Sequence, residues 1–146
     1  MESERGYHIE LHEPNLMPKA PMMITAGKFI VTPMKARIRC AGVVEFAGID
    51  APEQNAPIEL IKKQVKALFP VLKYDHMTEW MGRRPATTDS LPIIGAARNC
   101  SNAHIAFGHQ HVGLTGGPKT GRLIADMVNK KPNNADLSAF DPKRYS

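Results

Sequence analysis

Apolar and polar residues alternate through the first third of the chain. Tyr7-His8-Ile9-Glu10-Leu11-His12 puts an apolar side chain at every second position, the period of a strand with one buried face, and Pro14 stops it. Met22-Met23-Ile24-Thr25 and Lys28-Phe29-Ile30-Val31-Thr32 predict two more short strands, parted by Ala26-Gly27 and closed by Pro33. Arg37 to Phe46 predicts a fourth, rich in β-branched residues. Short turns separate these runs, so an antiparallel meander is the economical pairing. The period changes after Gly48–Ala56. Pro57 opens a helix on which Ile58, Ile61, Val65, Leu68 and Phe69 make one stripe, Glu59 and Lys63 are spaced for an i,i+4 pair, and Pro70 marks the end. His76 to Arg84 returns to an extended pattern around Trp80, so Met77–Arg84 is expected to join the sheet. Pro85 to Gly95 reads as loop or short strand. Ala103–Phe107 is an apolar strand-like run. Beyond a glycine-rich turn, a helix expected from about Gly117 carries Leu123, Ile124, Met127 and Val128 on one face. The fold class is therefore α+β, an antiparallel sheet backed by helices followed by a strand-turn-helix, with an irregular tail over 132–146.

Composition narrows the classes. The 146 residues can bury one sizeable core, and 42% hydrophobic with 23% charged content is ordinary for a globular protein. No apolar run is long enough to cross a bilayer, and the start, Met1-Glu2-Ser3-Glu4-Arg5, is not that of a secretory signal. Cys40 and Cys100 stand far apart, without metal-type spacing; the default is two free thiols in a reducing cytoplasm, with a disulfide permitted but not required. The net charge of +5 is spread over Lys62, Lys63, Lys66 and a few basic residues near the end. No basic block interleaved with aromatics appears, so nucleic acid is not an expected partner. Peripheral attraction to an anionic surface, such as an inner membrane, stays open.

The segment Gly108-His109-Gln110-His111-Val112-Gly113-Leu114-Thr115-Gly116-Gly117-Pro118-Lys119-Thr120-Gly121 concentrates the candidate chemistry. Glycines let a backbone approach a ligand without an intervening Cβ. Pro118 suits the first turn of a helix, and free N–H groups at a helix start favour an electron-rich ligand. The same stretch also reads as an ordinary strand-to-helix connection. His109 and His111 lack Cys, Asp or Glu at ligand spacing, so no metal site is expected. No Gly-x-Gly-x-x-Gly turn follows a strand anywhere in the chain.

Trp80-Met81-Gly82-Arg83-Arg84-Pro85-Ala86-Thr87-Thr88-Asp89-Ser90-Leu91-Pro92-Ile93-Ile94-Gly95 and the histidine-glycine segment stand in a characteristic order and separation. Together they resemble the C-terminal portion of the FAD-dependent D-amino-acid oxidase and dehydrogenase family, with the bacterial D-amino-acid dehydrogenase small subunits nearest in pattern. Lys28–Met34 and Gly42–Gly48 share the likeness, which covers nearly the whole chain. The resemblance implies a substrate-domain segment over 6–82 and a returning FAD-domain segment over 83–131. It implies that Arg84 grips a substrate carboxylate, a task suited to a guanidinium fork. It implies that Val112, Gly113, Leu114 and Thr115, with Gly117 at the helix start, lie against the pyrimidine edge of the flavin. His109 is then a candidate for substrate orientation or proton handling, and His111 a packed turn residue. Asp89 braces the turn that follows it, and Arg83 is solvated or structural.

Two departures qualify the likeness. Lys35-Ala36-Arg37 stands where relatives often have a small, glycine-containing turn, and the ADP-binding glycine turn is missing. The implied function is oxidative deamination of a D-amino acid by hydride transfer to FAD in the complete enzyme, with no cofactor held by this chain alone. A subunit completed by a separate flavin domain, and a non-catalytic remnant that folds as a homo-oligomer, are the alternatives.

Overall fold

In a computed structural model, which describes residues 1–145, the alternating runs become strands of one sheet. The strands are β1 (Glu2–His12), β2 (Met22–Ile24), β3 (Phe29–Met34), β4 (Arg37–Phe46) and β5 (Met77–Ala86), with helix α1 (Ala56–Leu68) between β4 and β5. Their order is β2-β3-β4-β1-β5. The pairs β2–β3, β3–β4 and β1–β4 are antiparallel. The expected meander therefore holds only for β2-β3-β4. β1 does not pair with β2 but lies between β4 and β5, where both of its edges are hydrogen-bonded.

The chain forms two compact units. One is Glu4–Arg83; the other joins Met1–Ser3 to the residues from Arg84 onward. In the first, Tyr7, Ile9 and Leu11 of β1 and Ile38 and Cys40 of β4 face the same way and are buried. Phe29 and Val31 of β3 complete that side, and Ile58, Ile61 and Val65 of α1 cover it. Each such side chain contributes about 1.5–3 kcal/mol by leaving water. Leu68 was expected on this stripe, but it is exposed, while Phe69 after it packs against the core. Glu59 pairs with Lys62 at 2.7 Å rather than with Lys63, and Lys62 also reaches Glu79 at 2.8 Å, so the second carboxylate fixes which lysine is used.

β1 begins earlier than its polar–apolar alternation suggests because Glu4 and Arg5 are buried charged residues. The Arg5 guanidinium donates to the carbonyls of Gly48, Ala51 and Pro52 and so organises the loop after β4. The β1–β4 register slips between Tyr7 and His8, opposite Val43 and Ala41, leaving Gly42 as the extra residue of a bulge. Gly42 has φ +153°, and a Cβ there would lie 2.6 Å from the Lys28 carbonyl oxygen, so only glycine fits.

In the second unit, β6 (Ile93–Ala97) and β7 (Cys100–Phe107) form an antiparallel hairpin that pairs Ile93 with Phe107. A 3₁₀ turn, Gln110–Val112, leads into helix α2, Gly113–Val128. Ile93, Ile94 and Leu123 are buried. Val128 was expected on the apolar face of α2 but is exposed at its last turn. The tail is more ordered than expected. It holds 3₁₀ turns at Ser138–Phe140 and Pro142–Tyr145, and Arg144 binds Asp89 at 2.7 Å. Pro142 sits so near Gly95 that a Cβ there would lie 2.8 Å from its Cδ. Among the described residues, no helix is long and apolar enough to cross a membrane.

Candidate active-site segment

The unit that joins Met1–Ser3 to the residues from Arg84 onward contains the candidate catalytic and cofactor-binding residues, Arg84, His109, Val112 to Thr115 and Gly117. Arg84 is half-buried near the end of β5, and Arg83 before it is exposed. The chain then makes a braced turn. The Thr87 hydroxyl donates to the Leu91 carbonyl at 2.8 Å, and the Leu91 N–H donates to the Asp89 carboxylate at 3.1 Å. Asp89 also accepts from Arg144 at 2.7 Å and from the Tyr145 hydroxyl at 2.7 Å. These donors, Arg144 first, hold its carboxyl well below the usual carboxylate range. Asp89 is thus the brace expected of it, and it fastens the tail as well as its own turn.

β7 ends at Phe107 and the chain turns through Gly108, whose φ of +80° is a left-handed conformation. His109 follows. Its imidazole Nε2 lies 2.9 Å from the Thr120 hydroxyl of α2, so the ring is laid along the start of that helix. Gly113 and Gly116 lie against it: a Cβ at either would stand 3.4 Å from a carbon of His109, in contact with it. His111 was expected to pack or bond in the turn, yet it is exposed.

Helix α2 begins at Gly113, one turn before the expected start near Gly117. Glycine's low helix propensity hides such a start from sequence. Pro118 therefore lies inside the helix, where it withholds the amide that the Leu114 carbonyl would accept. Val112 to Thr115 become the boundary and first turn. No side chain caps this end and no acidic residue lies in the first turn. Its amide donors keep the partial positive charge of a helix start. Leu114 is 96% exposed, and no atom lies within 4 Å of a Cβ built at Gly117. Among the described residues no cluster of three His, Cys, Asp or Glu side chains could hold a metal.

The fold has solved counterparts. Glycine oxidase from Geobacillus kaustophilus aligns with a TM-score of 0.74 at 20% identity, over 95% of this chain and 38% of that one. L-proline dehydrogenase from P. horikoshii aligns at 0.77 and 17% identity, over 99% of this chain and 40% of that one. At such identity the likeness establishes the fold, that of the DAO-like flavoprotein oxidases. In sequence, the family described as DAO, FAD dependent oxidoreductase, matches residues 1–127, and the chain belongs to this family. A D-amino-acid oxidase of Bradyrhizobium diazoefficiens is 36% identical over 99% of this chain and 35% of that protein. A D-amino acid dehydrogenase of Granulibacter bethesdensis is 34% identical over 97% of this chain and 34% of that protein. The chain thus spans about a third of the length of the curated relatives it matches.

Sequence reasoning missed two features. One is the His109–Thr120 contact, which carries no signal because it joins a loop to the second turn of a helix whose start was misplaced. The other is Arg5, which lies before the alternating run Tyr7–His12 and so outside the strand that alternation predicts.

Proposed function

We propose that this chain supplies the substrate grip and the flavin-edge segment of an FAD-dependent enzyme that oxidatively deaminates D-amino acids. The observation that carries this reading is the start of α2, uncapped, free of acidic side chains and preceded by a histidine held in place by Thr120. Its donor set suits the N1 and C2=O edge of a flavin, where negative charge grows during reduction. FAD, when bound, supplies the acceptor for the hydride leaving the substrate Cα.

The amides of Gly113, Leu114 and Thr115 face that edge, and the open surface at Gly117 admits the ring system; Val112, expected to donate there too, instead spends its N–H on the His109 carbonyl at 3.0 Å, closing the turn before the helix. Arg84 binds the substrate carboxylate through its fork and orients the Cα–H. His109, with one ring nitrogen committed to Thr120, positions the turn and leaves its other nitrogen for substrate or a proton. A substrate bound with its amine neutral needs no strong base from this chain. The ADP half of the cofactor requires a glycine-rich dinucleotide turn that these residues do not contain, so the segment works together with a flavin domain, in the same protein or as a separate chain.

A chimera tests this: the chain replaces the corresponding third of the Bradyrhizobium D-amino-acid oxidase. The expected product is a yellow protein that reduces an acceptor dye when given D-amino acids but not their L-enantiomers. A yellow, folded chimera without any D-amino-acid turnover would refute the reading. For the chain by itself, calorimetric titration should show FAD binding weaker than micromolar.

A further inference from the structure

In the Glu4–Arg83 unit, α1 covers one face of the sheet. The opposite face carries a polar cluster that the chemistry above leaves unused. By the two-residue period, His8 and Glu10 of β1 point away from Ile9 and Leu11, and Arg37 and Arg39 of β4 point away from Ile38 and Cys40. Arg37 has an ion-pair partner, its Nε lying 2.9 Å from the Glu10 carboxylate, although the angle makes no hydrogen bond. Arg39 has none among the described residues. Its Nη2–H donates to His8 Nδ1 at 3.2 Å, while its Nε is buried and has no hydrogen-bond partner. Trp80 of β5 stacks on the His8 ring with centroids 4.8 Å apart and planes 25° from parallel. Gly82, two residues on along the same strand, makes room for the indole, since a Cβ there would overlap it.

Buried donors in folded proteins are almost always served, and a carboxylate is the partner whose geometry best matches a guanidinium. We propose that His8, Arg39 and Trp80 form a carboxylate-binding site for an aliphatic chain that ends in a carboxylate. Arg39 presents the donors that His8 leaves unused, and the indole is an apolar wall for the methylenes. His8 is held as an acceptor by the Arg39 donor.

The site has a built-in reporter. Burial, then the charge of Arg39, lowers the His8 pKa below the ordinary imidazole value, with Glu10 opposing. The groups around the ring are Glu10 from its own strand, Arg39 from β4 and Trp80 from β5, with Arg37 engaged by Glu10. A bound carboxylate cancels the field of Arg39, so it must favour protonated His8. Trp80 is the single tryptophan of the chain, and a stacked imidazolium quenches indole emission more than a neutral imidazole does.

The experiment is a pH titration of Trp80 emission on the purified full chain, with glutarate, with glutaramide, or with neither, at constant ionic strength. Glutarate should raise the midpoint by about one pH unit, and glutaramide should leave it in place. Arg39→Gln should abolish the glutarate response, Arg39→Lys should keep part of it, and Arg84→Gln should retain it in full. His8→Gln should remove the titration itself. An unmoved midpoint in the unaltered chain, an equal response in Arg39→Gln, or a response lost only in Arg84→Gln would overturn the site. The measurement needs neither flavin nor turnover. Its failure therefore refutes this site, whereas an inactive chimera refutes the reading of function.

Discussion

Replacing Arg5 with methionine tests how the loop after β4 is held. Arg5 has 0% of its surface exposed. Its Nη2 lies 2.8 Å from the Gly48 carbonyl and 2.5 Å from that of Ala51, and its Nη1 lies 2.9 Å from that of Pro52. Glu45 stands 3.4 Å from Nη1 and accepts the Tyr7 hydroxyl at 2.7 Å. Methionine keeps most of the aliphatic volume and removes every donor. A hydrogen bond from a charged group contributes about 1.5–3 kcal/mol net. Three such bonds would exceed 4 kcal/mol, but the loop carbonyls are near solvent and water can serve them in the variant. The expected loss is about 2–4 kcal/mol. Arg5→Lys should recover less than half, because one ammonium cannot reach three carbonyls in the plane of a fork. Urea unfolding followed by Trp80 emission reads this unit directly, and a midpoint shift at constant slope isolates stability. If Arg5→Met unfolds within about 0.5 kcal/mol of the unaltered chain, the desolvation of the buried guanidinium cancels its bonds, and the loop owes its form to something else.

In the completed enzyme, Arg84→Ala should lower kcat/KM for D-amino acids about a hundredfold, from loss of a charge-assisted bidentate contact of about 2–4 kcal/mol, with little change in the flavin spectrum; steady-state kinetics decide it. Ala36 has φ +58° in the β3–β4 turn, so Ala36→Gly should stabilise the chain by about 0.5–1 kcal/mol in thermal or urea unfolding, after glycine's own entropic cost. Burial pushes the Cys40 thiol up to about 12 while Cys100 is exposed, so a thiol reagent at pH 8 should label one cysteine in the native chain and two in urea. The Asp89 carboxyl is lowered by its partners, so its contribution is complete above the ordinary carboxylate pKa and is lost only as pH falls through the lowered value. The tail should therefore stay docked at pH 4, and Asp89→Asn should release it to limited proteolysis at neutral pH.

The strands of the first unit were legible because one face of each is apolar and the other polar, which is the signal that alternation carries. Where charge is buried, that signal fails: Glu4 and Arg5 hid the beginning of β1. Pairing was partly hidden as well. Short turns pointed to a meander, but nothing local says that β1 inserts beside β4 and β5. Proline masked β6, because Pro92 stands immediately before its first residue. The residues of the candidate active-site segment were legible through a motif that joins two separated blocks. Their local geometry was not, since glycines and Pro118 disguised the first turn of α2 and so the role of Thr120 as the partner of His109. The His8–Arg39–Trp80 cluster joins three strands, and no spacing along the chain announces it.

β1 precedes in the chain every strand it pairs with, yet it occupies an interior place in the sheet. Its partner β4 is separated from it by the β2–β3 hairpin, and its partner β5 by α1 as well. The β2-β3-β4 ribbon can form from near neighbours, but β1 must wait for long loops to close on both of its edges. Folding of this unit should thus be slow for its size, limited by docking of β1 and not by formation of α1. Until β5 arrives, β1 offers an unpaired edge to other chains, and aggregation during refolding should fall when that edge is served early.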